Sequence, residues 1–300
     1  MSEQPAAQDH VVPAVATAQG SVHRRKSGAS THESTLHDQV LIEDIADHPP
    51  AQVMEAAPLH RRDLKHLLGP PLAIAAVLLV LWIWVHSTTL DTIEQVTLNS
   101  SFITNAVLTH IKLTILASLG ILLIALPLGV VLSRPWSRSF APIVLGIANI
   151  GQAFPAVAVL VLLTFSLGIG LAPALIAFVF TGVLPVLRNT IVGLQQIDRG
   201  LIEAAKGMGF PGWRILLRVE LPLAVPTMLA GVRTTLVLTV GVATLATFVS
   251  AGGLGDIIVA GLKLDRTPVK MTGAVLAVCL ALTVDWLGRV AEDALRPKGL

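Results

Sequence analysis

The sequence predicts an all-α polytopic membrane protein with about six transmembrane helices. Three observations carry this. Hydrophobic residues make up 53% of the 300 positions and charged residues only 13%, and the mean hydropathy is +0.75, a composition outside the range of soluble domains. Six apolar runs approach or exceed the ~20 residues that a helix needs to cross a bilayer. Most of the short turns between them carry Arg or Lys.

Residues 1–65 differ from the rest, being rich in Ala, Gln, His, Ser, Pro and charges without sustained apolar periodicity. Such a segment buries too little apolar surface to offset its ordering entropy, so a disordered tail is expected, with a short amphipathic helix possible over 36–45. Seven of the nine histidines lie in or beside it (His10, His23, His32, His37, His48, His60 and His66). Their spacing is irregular and no HxxxH pair occurs, so a solvated linker is favoured over a metal site. The first apolar run starts too late for a signal peptide, which keeps the tail in the cytoplasm.

The first span covers about 67–85. Arg61, Arg62 and Lys65 precede it, Asp91 and Glu94 follow it, and Trp82 and Trp84 mark its outer end; the positive-inside bias therefore puts the N-terminus in the cytoplasm. The second, about 111–132, ends in the basic turn Ser133-Arg134-Pro135-Trp136-Ser137-Arg138. The third, about 141–167, is long enough to be tilted or broken and has Pro155 in its middle. The fourth runs over about 172–187 and ends at Arg188; the fifth and sixth cover about 225–250 and 271–289. Arg296 and Lys298 close the chain, so both termini are expected inside. The segment 252–270 carries both signs and breaks the charge rule mildly. Cys279 stands alone in an apolar run, which leaves neither a disulfide nor a cysteine metal site, and no metal site is expected. A net charge of +2 with no basic run among aromatics gives no reason for a nucleic-acid partner.

Between the fourth and fifth spans lies the most informative stretch. Residues 202–208 favour a helix, Gly209 suits its left-handed C′ position, and a second helix over 213–219 is expected to stop at Pro222. Two small alanines would let a partner approach closely. Glu203-Ala204-Ala205, then Gly209, Val219 and Leu221-Pro222 keep every spacing of the EAA loop of binding-protein-dependent ABC transporter permeases, with Val219 where Ile is usual. The chain therefore resembles that family. The resemblance implies that Glu203, Ala204, Ala205, Gly209, Val219, Leu221 and Pro222 couple the permease to a cytoplasmic ATPase.

Residues 149–155 (Asn-Ile-Gly-Gln-Ala-Phe-Pro), 184–190 (Leu-Pro-Val-Leu-Arg-Asn-Thr) and 250–255 (Ser-Ala-Gly-Gly-Leu-Gly) resemble the osmoprotectant branch, which carries glycine betaine, choline or carnitine. This chain departs from that branch in having Ala153-Phe154 before the proline. The similarity spans about 105–290 and implies a five-helix core like that of methionine permeases, preceded by one extra N-terminal helix. The domains expected are a tail over 1–65, a first helix and periplasmic segment over 66–104, the permease domain over 105–290, and a cytoplasmic end over 291–300. The implied partners are an ABC ATPase, a second permease protomer and an extracytoplasmic binding protein, in a bacterial inner membrane. The chain itself is then no enzyme and holds no cofactor, ATP being bound by the partner.

Polar groups inside a span need partners or a cavity, which makes Asn149, Gln152 and Pro155 candidates for the translocation path or for helix packing. Arg233 and Asp285 fall at similar depth near the ends of their spans and are expected to pair. The glycines of 252–255 suit a sharp turn; without a GxxxxGK[ST] they are no phosphate loop. The alternative functions are a methionine-type amino-acid permease and a secondary transporter, for which Asp285 alone gives little ion-coupling chemistry.

Overall fold

A computed structural model describes residues 64–295, with side chains from 67 onward. The expected tail over 1–65, its helix at 36–45 and the basic pair Arg296 and Lys298 lie outside the described residues or nearly so. Among those described there are eleven α-helices and no strand. They are α1 (Leu64–Ser87), α2 (Thr92–Thr97), α3 (Ser100–Leu132), α4 (Ala141–Ala153), α5 (Ala156–Leu167) and α6 (Leu171–Gln195). After these come α7 (Arg199–Gly207), α8 (Gly212–Ile215), α9 (Leu221–Ala243), α10 (Leu254–Lys263) and α11 (Thr267–Leu295).

Five helical stretches are long and apolar enough to cross a membrane, and a sixth span results if the bent pair α4–α5 counts as one. The chain is thus an all-α polytopic membrane protein. The spans outrun their hydropathy signal: α3 begins at Ser100, capped by Asn99, whose side chain accepts the Ser101 N–H at 2.9 Å. Likewise α6 continues past Arg188 to Gln195, and α11 extends on both sides of the expected 271–289. Hydropathy marks only the residues bathed in lipid, whereas backbone hydrogen bonding carries a helix on into polar surroundings.

The core forms where α6 packs against α3 and α9. Small side chains let these helices approach: Ala117, Ala174, Ala177, Ala243 and Ala246 are all buried, beside Leu113 and Phe178. In lipid, where no hydrophobic drive separates helix from solvent, such close van der Waals contact is what holds helices together. Gly182 shows how close it is, since a Cβ there would lie 2.5 Å from Ile121 Cδ1. Helix α1 stands apart from this core. It is apolar on all sides, packs on α11, and its Leu67 carbonyl accepts the Trp286 indole N–H at 2.9 Å.

Candidate functional site

The segment between α6 and α9 is a helix–turn–helix. Asp198 caps α7 by accepting the Gly200 N–H at 2.8 Å, so the helix starts three residues before the expected Ile202. At its other end the Gly209 N–H donates to the Lys206 carbonyl (2.9 Å) and the Phe210 N–H to the Ala205 carbonyl (3.1 Å). This is a Schellman ending, and Gly209 takes the left-handed conformation it requires, with φ +78°. Pro211 then opens α8.

Pro222 does not stop the second helix. A π turn over Leu216–Glu220 widens the ladder just before it, and Pro222 follows as the second residue of α9, where the wider turn accommodates a residue that cannot donate. The stretch Gly212–Val249 is therefore one continuous helical run. The two alanines also part company. Ala205 is 1% exposed and packs within the chain, whereas Glu203 and Ala204 face outward. Leu201, Met208, Trp213 and Leu217 are exposed as well, and the Arg214 guanidinium lies over the rings of Phe210 and Trp213. Val219, Leu221 and Pro222 sit at the root of α9.

Two residues passed over in the sequence meet beneath this loop. Glu220, buried at the end of the π turn, accepts a hydrogen bond from the Arg134 guanidinium of the α3–α4 turn. The only signal for it was an acid placed immediately before Leu221-Pro222.

The third span is bent by 94° at Phe154–Pro155. Phe154 is extended (φ −69°, ψ 135°), as a residue before proline must be, and its own N–H still reaches the Ile150 carbonyl at 3.1 Å. Asn149, Gln152 and Pro155 are exposed on the surface of this chain. Gln152 borders a cavity of about 270 Å³ with Phe154, Phe178, Thr181 and Thr239, among others; its lining carries no charged side chain and does not include Asn149 or Pro155. The Thr181 and Thr239 hydroxyls donate to carbonyls one turn back, which leaves their lone pairs as acceptors.

Arg233 Nε lies 3.7 Å from Asp285 Oδ1, joining α9 to α11. The pair belongs to a larger group: Arg233 Nη1 is 3.5 Å from Glu292 Oε2, and Arg289 Nε donates to Asp285 Oδ2 at 3.0 Å.

At the opposite end of α9 the glycine run turns the chain back into α10. Ser250, Gly252 and Gly253 all have positive φ. The turn is fastened by His110, fully buried on α3, whose Nδ1 accepts the Leu254 N–H at 3.2 Å. Its Nε2 therefore carries the proton and donates to the Val240 carbonyl at 3.0 Å. Gly255 crosses so tightly that a Cβ would fall 1.9 Å from the Thr244 carbonyl oxygen. His110 was invisible in the sequence because both its partners are more than a hundred residues away.

Residues 125–298 match the family described as binding-protein-dependent transport system inner membrane component. The chain is 40% identical over 191 residues to the glycine betaine/carnitine/choline transport system permease protein OpuCB of Bacillus subtilis, covering 64% of this chain and 87% of that one. It is 36% identical over 235 residues to the osmoprotectant import permease protein OsmY of Salmonella typhimurium, covering 77% and 97%. Among solved structures, an inward-facing conformation of the MetNI methionine ABC transporter aligns with a TM-score of 0.58 at 27% identity, over 65% of this chain and 96% of that one.

Proposed function

The chain belongs to the family of binding-protein-dependent transport system inner membrane components, and from that premise we propose that it is the permease subunit of an ABC importer for an osmoprotectant such as glycine betaine, choline or carnitine. The observation that carries this reading is the Gly209-capped α7, which presents Leu201, Ala204 and Met208 outward between two spans. A short helix with one small and two apolar exposed residues fits a groove on a partner. In this reading Glu203, Ala204, Gly209, Val219, Leu221 and Pro222 form or support the surface that meets the cytoplasmic ATPase, and Ala205 holds α7 to the chain. Hydrolysis belongs to that ATPase, which binds the ATP; this chain supplies none of the chemistry.

Two permease protomers would enclose the path, with an extracytoplasmic binding protein delivering solute to them. Gln152, at the bend of the third span, lines the path together with the neutral cavity beside it; Pro155 makes that bend, and Asn149 lies before it on the same helix. The positive-inside bias of the basic turns at 133–138 and between α6 and α9 supports a cytoplasmic α7 and cytoplasmic termini. Arg233 and Asp285 are structural here, because the four-charge group is complete within one chain. Arg233→Ala should lower the thermal midpoint of the purified complex by a few degrees, about what a lost partly buried pair costs, while uptake per assembled complex stays near wild type. Loss of uptake at unchanged assembly would instead make Arg233 part of the transport machinery.

The direct test is ATP-dependent uptake of radiolabelled glycine betaine, choline, carnitine and methionine by proteoliposomes holding this chain with its neighbouring ATPase and binding protein. Uptake of a quaternary amine is expected. Methionine uptake alone would move the chain to the amino-acid branch, and uptake that persists without ATP would point to a secondary transporter.

A further inference from the structure

Glu220 is an acid buried in a helical run that leads straight into a membrane span, and its partner comes from another part of the fold. Arg134, which bonds it, is also tied to the end of α3, where its Nε–H donates to the Val130 carbonyl at 3.4 Å. The turn that carries Arg134 is closed by its own bonds. The Arg134 N–H donates to the Val131 carbonyl (3.1 Å), the Ser137 N–H to the Arg134 carbonyl (3.2 Å) and the Phe140 N–H to the Ser137 carbonyl (2.9 Å). The buried Ser137 hydroxyl adds a bond to the Val131 carbonyl. A turn tied in this way moves as one piece with the end of α3 and the start of α4.

Helix α4 runs from that turn to the 94° bend at Pro155. The ion pair therefore links the root of the α7–α8 loop to the broken span by a path that avoids the α6–α9 core. A cavity of about 580 Å³ borders the pair, lined also by Arg138, Arg199, Glu203 and Lys206. Desolvation makes a buried pair a poor source of stability compared with apolar packing, whereas it is well suited to holding one register.

We propose that Arg134 and Glu220 are positioning residues that make the turn 133–138, and with it the bent span, follow the loop that meets the ATPase. The proposal rests on the permease reading above. Neither residue touches solute or nucleotide; both act through the helix that carries Gln152.

The test uses the full complex in proteoliposomes, with a cysteine reporter made possible by the single native cysteine, Cys279. In a Cys279→Ala, Gln152→Cys parent, a trimethylammonium methanethiosulfonate reagent should label residue 152 at rates differing about fivefold between nucleotide-free and vanadate-trapped complexes. Glu220→Gln and Arg134→Gln should each abolish that difference and lower solute uptake about tenfold, with ATP hydrolysis kept within about twofold. Arg134→Lys should retain much of it, and the exchanged pair Arg134→Glu with Glu220→Arg should restore labelling and uptake in part, as coupling between contacting residues requires. If the parent responds to nucleotide and Glu220→Gln responds equally, the strut is wrong and the permease reading stands. If the parent itself shows no response, Gln152 is not on a moving path and the strut falls with that assignment, while the permease reading stands. If a single variant fails to assemble while the exchanged pair assembles but does not couple, the pair is merely structural.

Discussion

Gly209→Asp should abolish most solute uptake while leaving the complex assembled and hydrolysing ATP. The physical reason lies in the backbone. Gly209 holds φ +78° in the Schellman turn, and a side chain there finds open space, so the change acts through conformation and charge and not through a clash. A left-handed non-glycine residue costs roughly 1–2 kcal/mol. A carboxylate at a helix C-terminus adds about 0.3–1 kcal/mol against the helix dipole. A total near 2 kcal/mol is well below the 5–15 kcal/mol that keeps a domain folded, yet at 1.36 kcal/mol per decade it lowers the ratio of correct to altered turn roughly thirtyfold. Gly209→Asn, which visits the left-handed region more readily and carries no charge, should be milder, and Gly209→Val worse. The check is the ratio of uptake to ATP hydrolysis in proteoliposomes; equal ratios across this series would remove the turn from the coupling mechanism.

Gly255→Ala should be the most damaging single-methyl change at the other end of the bundle. Its Cβ would sit 1.9 Å from the Thr244 carbonyl oxygen, a contact with backbone that no rotamer can relieve. The turn and α10 must then shift, at a cost at or above the roughly 1–3 kcal/mol usual for overpacking. The yield of folded protein in detergent and its thermal midpoint report this directly. His110→Leu attacks the same turn from the other side. It leaves the Val240 carbonyl and the Leu254 N–H without their partner, at about 1–3 kcal/mol for each buried orphan. Wild-type thermal midpoints for both variants would mean that the turn is not closed as described.

Much of this architecture was legible beforehand, because lipid imposes long apolar runs and the loop signature fixes seven positions by spacing. Gly209 could be read because only one conformation suits the residue after that helix. Ala204 and Ala205 were harder. Neighbouring residues on a helix point about 100° apart, so spacing alone leaves open which of the two meets a partner, and only packing decides that Ala205 turns inward. Pro222 misled for a different reason: a proline stops a helix only if the turn before it stays α-helical, and the π turn at Leu216–Glu220 has no strong local signature. His110 and the Arg134–Glu220 pair depend on contacts between distant parts of the chain, which residue periodicity does not encode.

The π turn also changes what the loop signature measures. Each residue between Gly212 and Leu221 adds its own rotation to a continuous helical run, so the interval sets the azimuth at which Trp213 and Arg214 stand relative to α9. Deleting one residue within Leu216–Glu220 would force the run toward a plain α-helix, in which Pro222 has no N–H to donate and its ring meets the carbonyl one turn back. The run would kink or break at Pro222, aiming Trp213 and Arg214 elsewhere. Residue number, more than side-chain chemistry, then sets the geometry of that stretch, and a length change there would silence the protein where many substitutions would not.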